Sequence, residues 1–379
     1  MEKIVTSFGR EVGSKPRMKH GLAIVLLFVL TLYRVHGESE TFYVAAQPGI
    51  LRGSIDSETG ALAPLELAIA ANDPHFLALS PTRPVLYATF KHSVGSFLIG
   101  PDQKITTLGE GDTGGKGTCH VAVDRSGRFV FAADYSSGTL ASFAVSANGV
   151  VSDRVSLVQL RGSGPNPQRQ DHSYAHSVYP DPENHFLYAC DLGSDHIWIF
   201  KIDAKDGTLT PSDPPSAAVL PGSGPRHLAF GVGGKFVYVV SEMGGTVTVF
   251  ARDAVTGGLT RIETVSTMPA DTTIKDVWSA EIVVHLSGKW LYVSNRRDDT
   301  ISVFALAPDG KATLIQHEPA LVKTPRSFWL DPSGKWLVAA GEGDGRLSVL
   351  KVDPSTGKLS PTGQVATVKS PHCVLFDGK

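Results

Sequence analysis

Seven copies of one pattern occupy the chain from about residue 40 onward, spaced 44 to 57 residues apart. Each copy is a short apolar segment, a turn that often holds Gly-Lys or Gly-Arg, a second apolar segment, a polar turn and a third segment. Residues 225–250 read PRHLAFGVGGKFVYVVSEMGGTVTVF, and residues 325–350 read PRSFWLDPSGKWLVAAGEGDGRLSVL. Further copies lie at 74–99, 118–145, 175–200 and 279–305, and 371–376 (PHCVLF) begins a seventh. Anchored on one column, they start at His75, Cys119, His176, Arg226, Ala280, Arg326 and His372. A chain built this way must stack like units, because no single unit can bury its own apolar face.

The segments are rich in Val, Ile, Leu, Phe and Tyr and are bounded by Gly, Asp, Asn or Pro, which is a strand signature. With 39 Gly and 24 Pro the chain is dense in turn-formers, and no helical period persists beyond the N-terminal leader. Antiparallel units at a period near 50 read as propeller blades. The seventh copy stops after one strand at Phe376, while residues 41–60 supply a strand, a turn and a strand. Pairing the first strand with the last blade closes the ring and leaves no open edge. The expected fold is an all-β, seven-bladed β-propeller spanning residues 38–379, its ring closed by the N-terminal strands.

Ahead of it, residues 1–37 read as a signal peptide. Lys15, Arg17 and Lys19 precede the uncharged run Gly21 to Tyr33, and the small Gly37 suits a cleavage position. The run is too short for a stable bilayer span. An exported protein without a membrane anchor after cleavage is expected, and Met18 is an alternative start. The whole chain has 35 Lys+Arg against 37 Asp+Glu, and a mature chain would have 29 against 35. That balance offers no attraction to nucleic acid. Three cysteines cannot make a disulfide framework. Cys119, Cys190 and Cys373 fall in strand segments and read as small core residues.

In a propeller the innermost strands line the axis, so the anchor column lists residues near it: His75, Cys119, His120, His176, Arg226, His227, Glu281, Arg326 and His372. A second set follows the second strands: Asp134, Asp191, Glu242, Asn295 and Arg296. Converging charge is costly to bury unless paired, so this mouth reads as a polar ligand site, although single histidines and aspartates also serve as ties between blades. The longest insertion, RGSGPNPQRQDHSYAHS at 161–177, is stiffened by Gly and Pro and is expected to deliver His172 and His176 to the centre. No HExxH, CxxC, EF-hand, P-loop or Gly-x-Ser-x-Gly motif occurs. Neither a metal nor another cofactor is expected. Asp181, Asp203 and Asp206 read as turn residues.

The stretches GKGTCHVAVDRSGRF (115–129), GSGPNP-x-RQ-x₄-AHS (162–177) and GSGPRHLAF (222–230) resemble the lactonase family with a seven-bladed β-propeller, as do Ser241-Glu242, AEI with SNR (280–296) and TPR-x-F (324–328). That family includes propeller-type 6-phosphogluconolactonases and fungal 3-carboxy-cis,cis-muconate lactonizing enzymes. The resemblance implies an active site of His176, Glu242, Arg226 and Arg296, and places Ser241 where the family usually has Asn. It implies hydrolysis of a sugar-acid lactone, with His176 and Glu242 in proton transfer and Arg226, Arg296 and Arg326 binding the substrate anion; His120, His227 and Glu281 are secondary candidates. A lactonizing cycloisomerase and an exported non-enzymatic binding propeller are the alternatives. The expected ligand is a small lactone or anionic sugar acid, and the expected state is a monomer.

Overall fold

A computed structural model of the protein describes residues 38–274 and 276–378. The expected signal peptide lies outside the described residues. Within them, 28 strands form seven four-stranded antiparallel sheets. Six blades run in simple order from innermost to outermost strand: 77–112, 118–159, 175–218, 225–266, 279–319 and 325–367, called blades 1 to 6. In blade 7 the innermost strand is the last of the chain, Lys369–Phe376, and Ser39–Gln47, Gly49–Asp56 and Glu66–Ala70 lie outside it. The closing ladder pairs Phe42 with Phe376, Tyr43 with Leu375, Val44 with Val374 and Ala45 with Cys373. The seven-bladed all-β expectation and its N-terminal closure therefore hold. Among the described residues, no helix is long and apolar enough to cross a membrane.

The core follows from the alternation of the strands. Each sheet is apolar on both faces near the axis, and every interface between consecutive blades holds its own apolar cluster. Tyr188, Ile199, Leu228 and Val239 fill the joint between blades 3 and 4, for example, and Tyr43, Ile50, Leu77 and Leu86 the joint between blades 7 and 1. The largest fully buried side chains include Tyr43, Tyr87, Tyr188, Tyr238 and Tyr292. They occupy the same position of the second strand in blades 7, 1, 3, 4 and 5.

A second device locks the rim. The residue that opens the second strand, or stands just beside it, packs on a left-handed glycine in the outer hairpin of the next blade. Val85 meets Gly149, Phe129 meets Gly207, Phe186 meets Gly257, Phe236 meets Gly310, Trp290 meets Gly357 and Trp336 meets Gly60. Three of the buried tyrosines reinforce it, with Tyr87, Tyr188 and Tyr292 donating to the carbonyls of Gly149, Gly257 and Gly357. Only glycine satisfies both demands, a positive φ and an aromatic ring where Cβ would stand. The turn aspartates behave as expected: Asp181 Oδ1 accepts from the amides of His185 and Phe186, Asp203 from Lys205 and Asp206 from Thr208.

Two substitutions separate these demands. At Gly363 (φ +78°) a Cβ meets nothing within 4 Å, whereas at Gly257 (φ +75°) it would lie 2.6 Å from the Phe186 ring. Gly363→Ala should cost ~1 kcal/mol of backbone strain. Gly257→Ala should cost ~1–3 kcal/mol more, through overpacking. Thermal or denaturant unfolding of the two variants checks the order, and equal losses would show that the hairpin contact contributes nothing.

Candidate active site

At the mouth of the channel the innermost strands do something the repeat does not announce. In blades 2, 3, 4 and 6 the ladder between first and second strands skips one inner residue, and that residue is Cys119, His176, Arg226 or Arg326. In blade 5 the skipped stretch is Ala280 and Glu281. A β-bulge frees one residue from the pleat and re-aims its side chain. The anchor column is thus a column of bulges, and this is why those side chains face the axis.

The second strands end beside these bulges, and their last two positions divide the labour. The final strand residues Asp134, Asp191 and Asn295 are fully buried and tie their own blades. Asp134 accepts from Thr118 and Thr139; Asp191 accepts from the Tyr174 amide, Ser194 and Trp198; Asn295 accepts from Ser279 and donates to Thr300 and Ser302. These three, grouped with the site by sequence, are structural. The next position carries the site: Lys91, Tyr135, Glu242 and Arg296 all line one axial cleft of about 810 Å³.

Glu242 is the centre of that cleft. Its Oε1 lies 2.6 Å from Arg169 Nη2, and its Oε2 lies 2.6 Å from Arg296 Nη2 and 3.2 Å from Arg226 Nε. Burial alone would raise its pKa, but Arg296, Arg226 and Arg169 together hold it at about 2. One carboxylate so balanced against three guanidiniums leaves excess positive charge in a largely dry site.

Each arginine is fixed from a different direction. Arg226 is buried and donates from Nη1 to the Ala280 carbonyl. Arg296 donates from Nε to the Trp278 carbonyl and sits over the Trp278 ring at 5.3 Å. Arg169 stands over the same ring at 5.5 Å and reaches the Tyr135 hydroxyl at 3.4 Å. Its loop is nailed down by the fully buried Gln170, which donates to the Leu192 carbonyl and to Asp195 Oδ1. Asp195 in turn accepts from the amides of Gly222 and Gly224, in the loop that leads to Arg226. The two GSGP loops therefore brace one another.

His176 lies in the cleft wall, 6% exposed, with no hydrogen-bond partner at Nδ1. Burial first, and then the charge of Arg226, depresses its pKa well below the usual 6.5, so the ring is neutral at physiological pH. Beneath it His227 Nδ1 lies 2.8 Å from Glu281 Oε1, and His227 Nε2 lies 3.4 Å from Arg226 Nη1. Arginine can only donate, so that contact fixes the proton on Nδ1, which donates to Glu281. The row Glu281–His227–Arg226 thus supports the Glu242 cluster from below.

Several sequence expectations need correction. Glu242 was expected to share in proton transfer with His176, but the partners within reach of its carboxylate are the three arginines, and a group held at about 2 is a poor base. Arg226 was expected to grip the substrate; it lies instead in the small chamber under the cleft, with His227 and Glu281. His120 is packed deeper, against Phe76, Tyr179 and His227. His172 points outward, packed at a tilt against Tyr174 and 3.1 Å from Asp171. The insertion delivers Arg169 to the centre in its place. Tyr135 and Trp278 were also missed. Arg326 does line the cleft, 3.4 Å from Glu342. A larger groove of about 920 Å³ adjoins the cleft through Asn72 and Lys91, but none of the site arginines lines it.

Burial raises Glu281 to about 7, against the opposing charge of Arg226. A carboxyl raised in the folded state favours folding below its unfolded pKa and loses that contribution as pH rises through the folded value. Between pH 4.5 and about 7 this group should therefore remove stability on the order of 3 kcal/mol. Glu281→Gln should flatten that part of the stability profile relative to the wild type. An identical slope in both proteins would contradict the assignment.

Residues 39–376 match the family model "Lactonase, 7-bladed beta-propeller". The 6-phosphogluconolactonase of Bacillus subtilis (strain 168) is 32% identical over 342 residues, which is 89% of this chain and 96% of that protein. The structure of the Pseudomonas aeruginosa periplasmic gluconolactonase superposes with a TM-score of 0.84 at 25% identity, covering 89% of this chain and 99% of that one. A Lactobacillus plantarum protein superposes with a TM-score of 0.83 at 30% identity, over 89% and 99% of the two chains. With a bulge-built axial site inside a ring that matches along its whole length, the chain belongs to the lactonase family with a seven-bladed β-propeller.

Proposed function

We propose that the protein hydrolyses a sugar-acid lactone in the Glu242 cleft, and that it does so after export through its N-terminal leader. The observation that carries the reading is the cluster itself: three guanidiniums on one permanently ionised carboxylate, beside a neutral, unpartnered imidazole. The named activities of the Bacillus and Pseudomonas relatives support it. The word periplasmic in the second name, with the basic and apolar leader of this chain, supports export.

In this mechanism Nε2 of His176, the ring nitrogen that is not sealed off, takes a proton from water as the water oxygen bonds to the lactone carbonyl carbon. Negative charge then develops on the carbonyl oxygen, where Arg169 and Arg296 stabilise it. The ring C–O bond breaks, and the new hydroxyl receives the proton back from His176. That imidazolium is a strong acid, because burial and then the charges of Arg226, Arg326 and Arg296 disfavour it. The product carboxylate stays ionised and its proton goes to solvent. Glu242 transfers no proton; it holds the guanidiniums in place so that no reorganisation is needed as charge develops. Arg326 and Lys91, on the cleft wall, are positioned for a second anionic group.

His176→Ala should lower kcat by about 10²–10⁴-fold, and Arg169→Ala should lower kcat/KM by about 10²–10³-fold. A panel of δ-gluconolactone, its 6-phosphate and carboxymuconolactone tests the reading. Turnover of either sugar lactone that His176→Ala abolishes is the expected result. Full activity in both variants, or turnover of carboxymuconolactone alone, would overturn it.

The depressed His176 also fixes the sign of the pH dependence. The base form is the folded-state default at neutral pH, so the acid limb of kcat/KM should lie well below pH 6.5. An acid limb at 6.5 or above would rule His176 out as the base.

A further inference from the structure

On the same face, on the Arg326 side of the cleft, three donors from opposite ends of the chain meet. Asp73 and His75 lie on the connection between the outermost strand of blade 7, Glu66–Ala70, and the innermost strand of blade 1, Leu77–Leu79. His372 lies on the final strand, Lys369–Phe376. We propose that Asp73, His75 and His372 form a binding site for one divalent first-row cation, zinc by donor preference, which clips the last strand of the ring to blade 1. The inference is independent of the lactonase reading.

The geometry carries it. Asp73 Oδ2 is 3.3 Å from His75 Nε2, and Asp73 Oδ1 is 3.6 Å from His372 Nε2. The donor atoms of all three residues lie within 4.8 Å of one another. Tetrahedral zinc with bonds of ~2.0–2.2 Å sets its ligand atoms ~3.3–3.6 Å apart. Each imidazole already stands at that distance from one carboxylate oxygen, Oδ2 for His75 and Oδ1 for His372, and with all donors within 4.8 Å no remaining edge needs to close by much more than an ångström. The two rings stack with centroids 4.7 Å apart and planes within 3°, so both Nε2 atoms present to the same carboxylate.

The support behind His372 is what a metal ligand needs. Its side chain is only 10% exposed and its Nδ1 has no hydrogen-bond partner, yet that atom lies 3.4 Å from Glu342 Oε1. Glu342 is in turn 3.4 Å from Arg326. A carboxylate behind the far nitrogen directs the imidazole proton there and leaves the Nε2 lone pair for a metal. Two imidazoles and one carboxylate suit zinc and its neighbours rather than calcium or magnesium. Asp73 and His75 also line the axial cleft, so a cation has a path in and a fourth position open to water. No motif search finds this set, because two ligands precede the first complete blade and the third lies in the last strand.

The test uses the tag-free protein, stripped with a chelator and titrated with Co²⁺ and then Zn²⁺. One equivalent of Co²⁺ should bind with the visible absorption of a tetrahedral site, and Zn²⁺ should displace it and raise the midpoint of thermal unfolding. His75→Ala, Asp73→Asn and His372→Ala should each weaken binding by about 10- to 100-fold or more, while His176→Ala should bind as the wild type does. Circular dichroism identifies any variant that fails to fold, and the exposed Asp73 and the half-buried His75 keep the test decisive if His372→Ala does. Absence of saturable binding at one equivalent, or unchanged binding in His75→Ala and Asp73→Asn, would overturn the proposal.

Discussion

One buried carboxylate organises the mouth of this propeller. Glu242 is the shared counter-ion of Arg169, Arg226 and Arg296, which come from an insertion loop and from two different blades. Taking such charges out of water is expensive, and removing the carboxylate would leave three like charges facing each other. The pairing is therefore both the condition for folding the mouth and the source of its chemistry. Because three positive groups meet one negative group, the folded site still carries unspent attraction for an anion. Burial, reinforced by the charge of Arg226, keeps His176 neutral, which makes it a base at ordinary pH and a strong acid once protonated.

The cluster depends on a rigid ring, and the ring is rigid for reasons that can be named. Apolar clusters fill every joint between blades, and the aromatic-on-glycine contacts repeat around the rim. Closure by Ser39–Gln47 against Lys369–Phe376 removes the one edge that would otherwise stay open. Every blade also has a register shift between its third and fourth strands, but the bulges on the inner strands lie at the axis, and they carry His176, Arg226 and Arg326. Regular pleat builds the wall, and broken pleat points residues into the channel.

The period near 50, the split blade and the polar anchor column were legible in the sequence because each is set by local pattern. Depth was not. Arg226 and His176 stand in the same column, yet the first is sealed beneath the cleft and the second opens onto it, since the outcome depends on which neighbouring blade covers each. Asp134, Asp191 and Asn295 look like site residues by position, but their short side chains reach back to the serines and threonines of their own blade, while the residue after them faces the channel. Arg169 was hidden in a loop whose histidines drew attention first. The signal for it was present: Arg169-Gln170 stands inside the motif that carries the family resemblance, GSGPNP-x-RQ-x₄-AHS. Trp278 had no repeat signal at all, because it precedes its blade and acts through its ring face.

The account rests on the Glu242 cluster being the place where the anion of a lactone product sits. A crystal structure with gluconate measures this directly. The account predicts its carboxylate against Arg169 and Arg296, with His176 within hydrogen-bond reach of the ligand. Gluconate seated instead in the neighbouring groove beside His92 and Lys116, or on the opposite face of the ring, would contradict it.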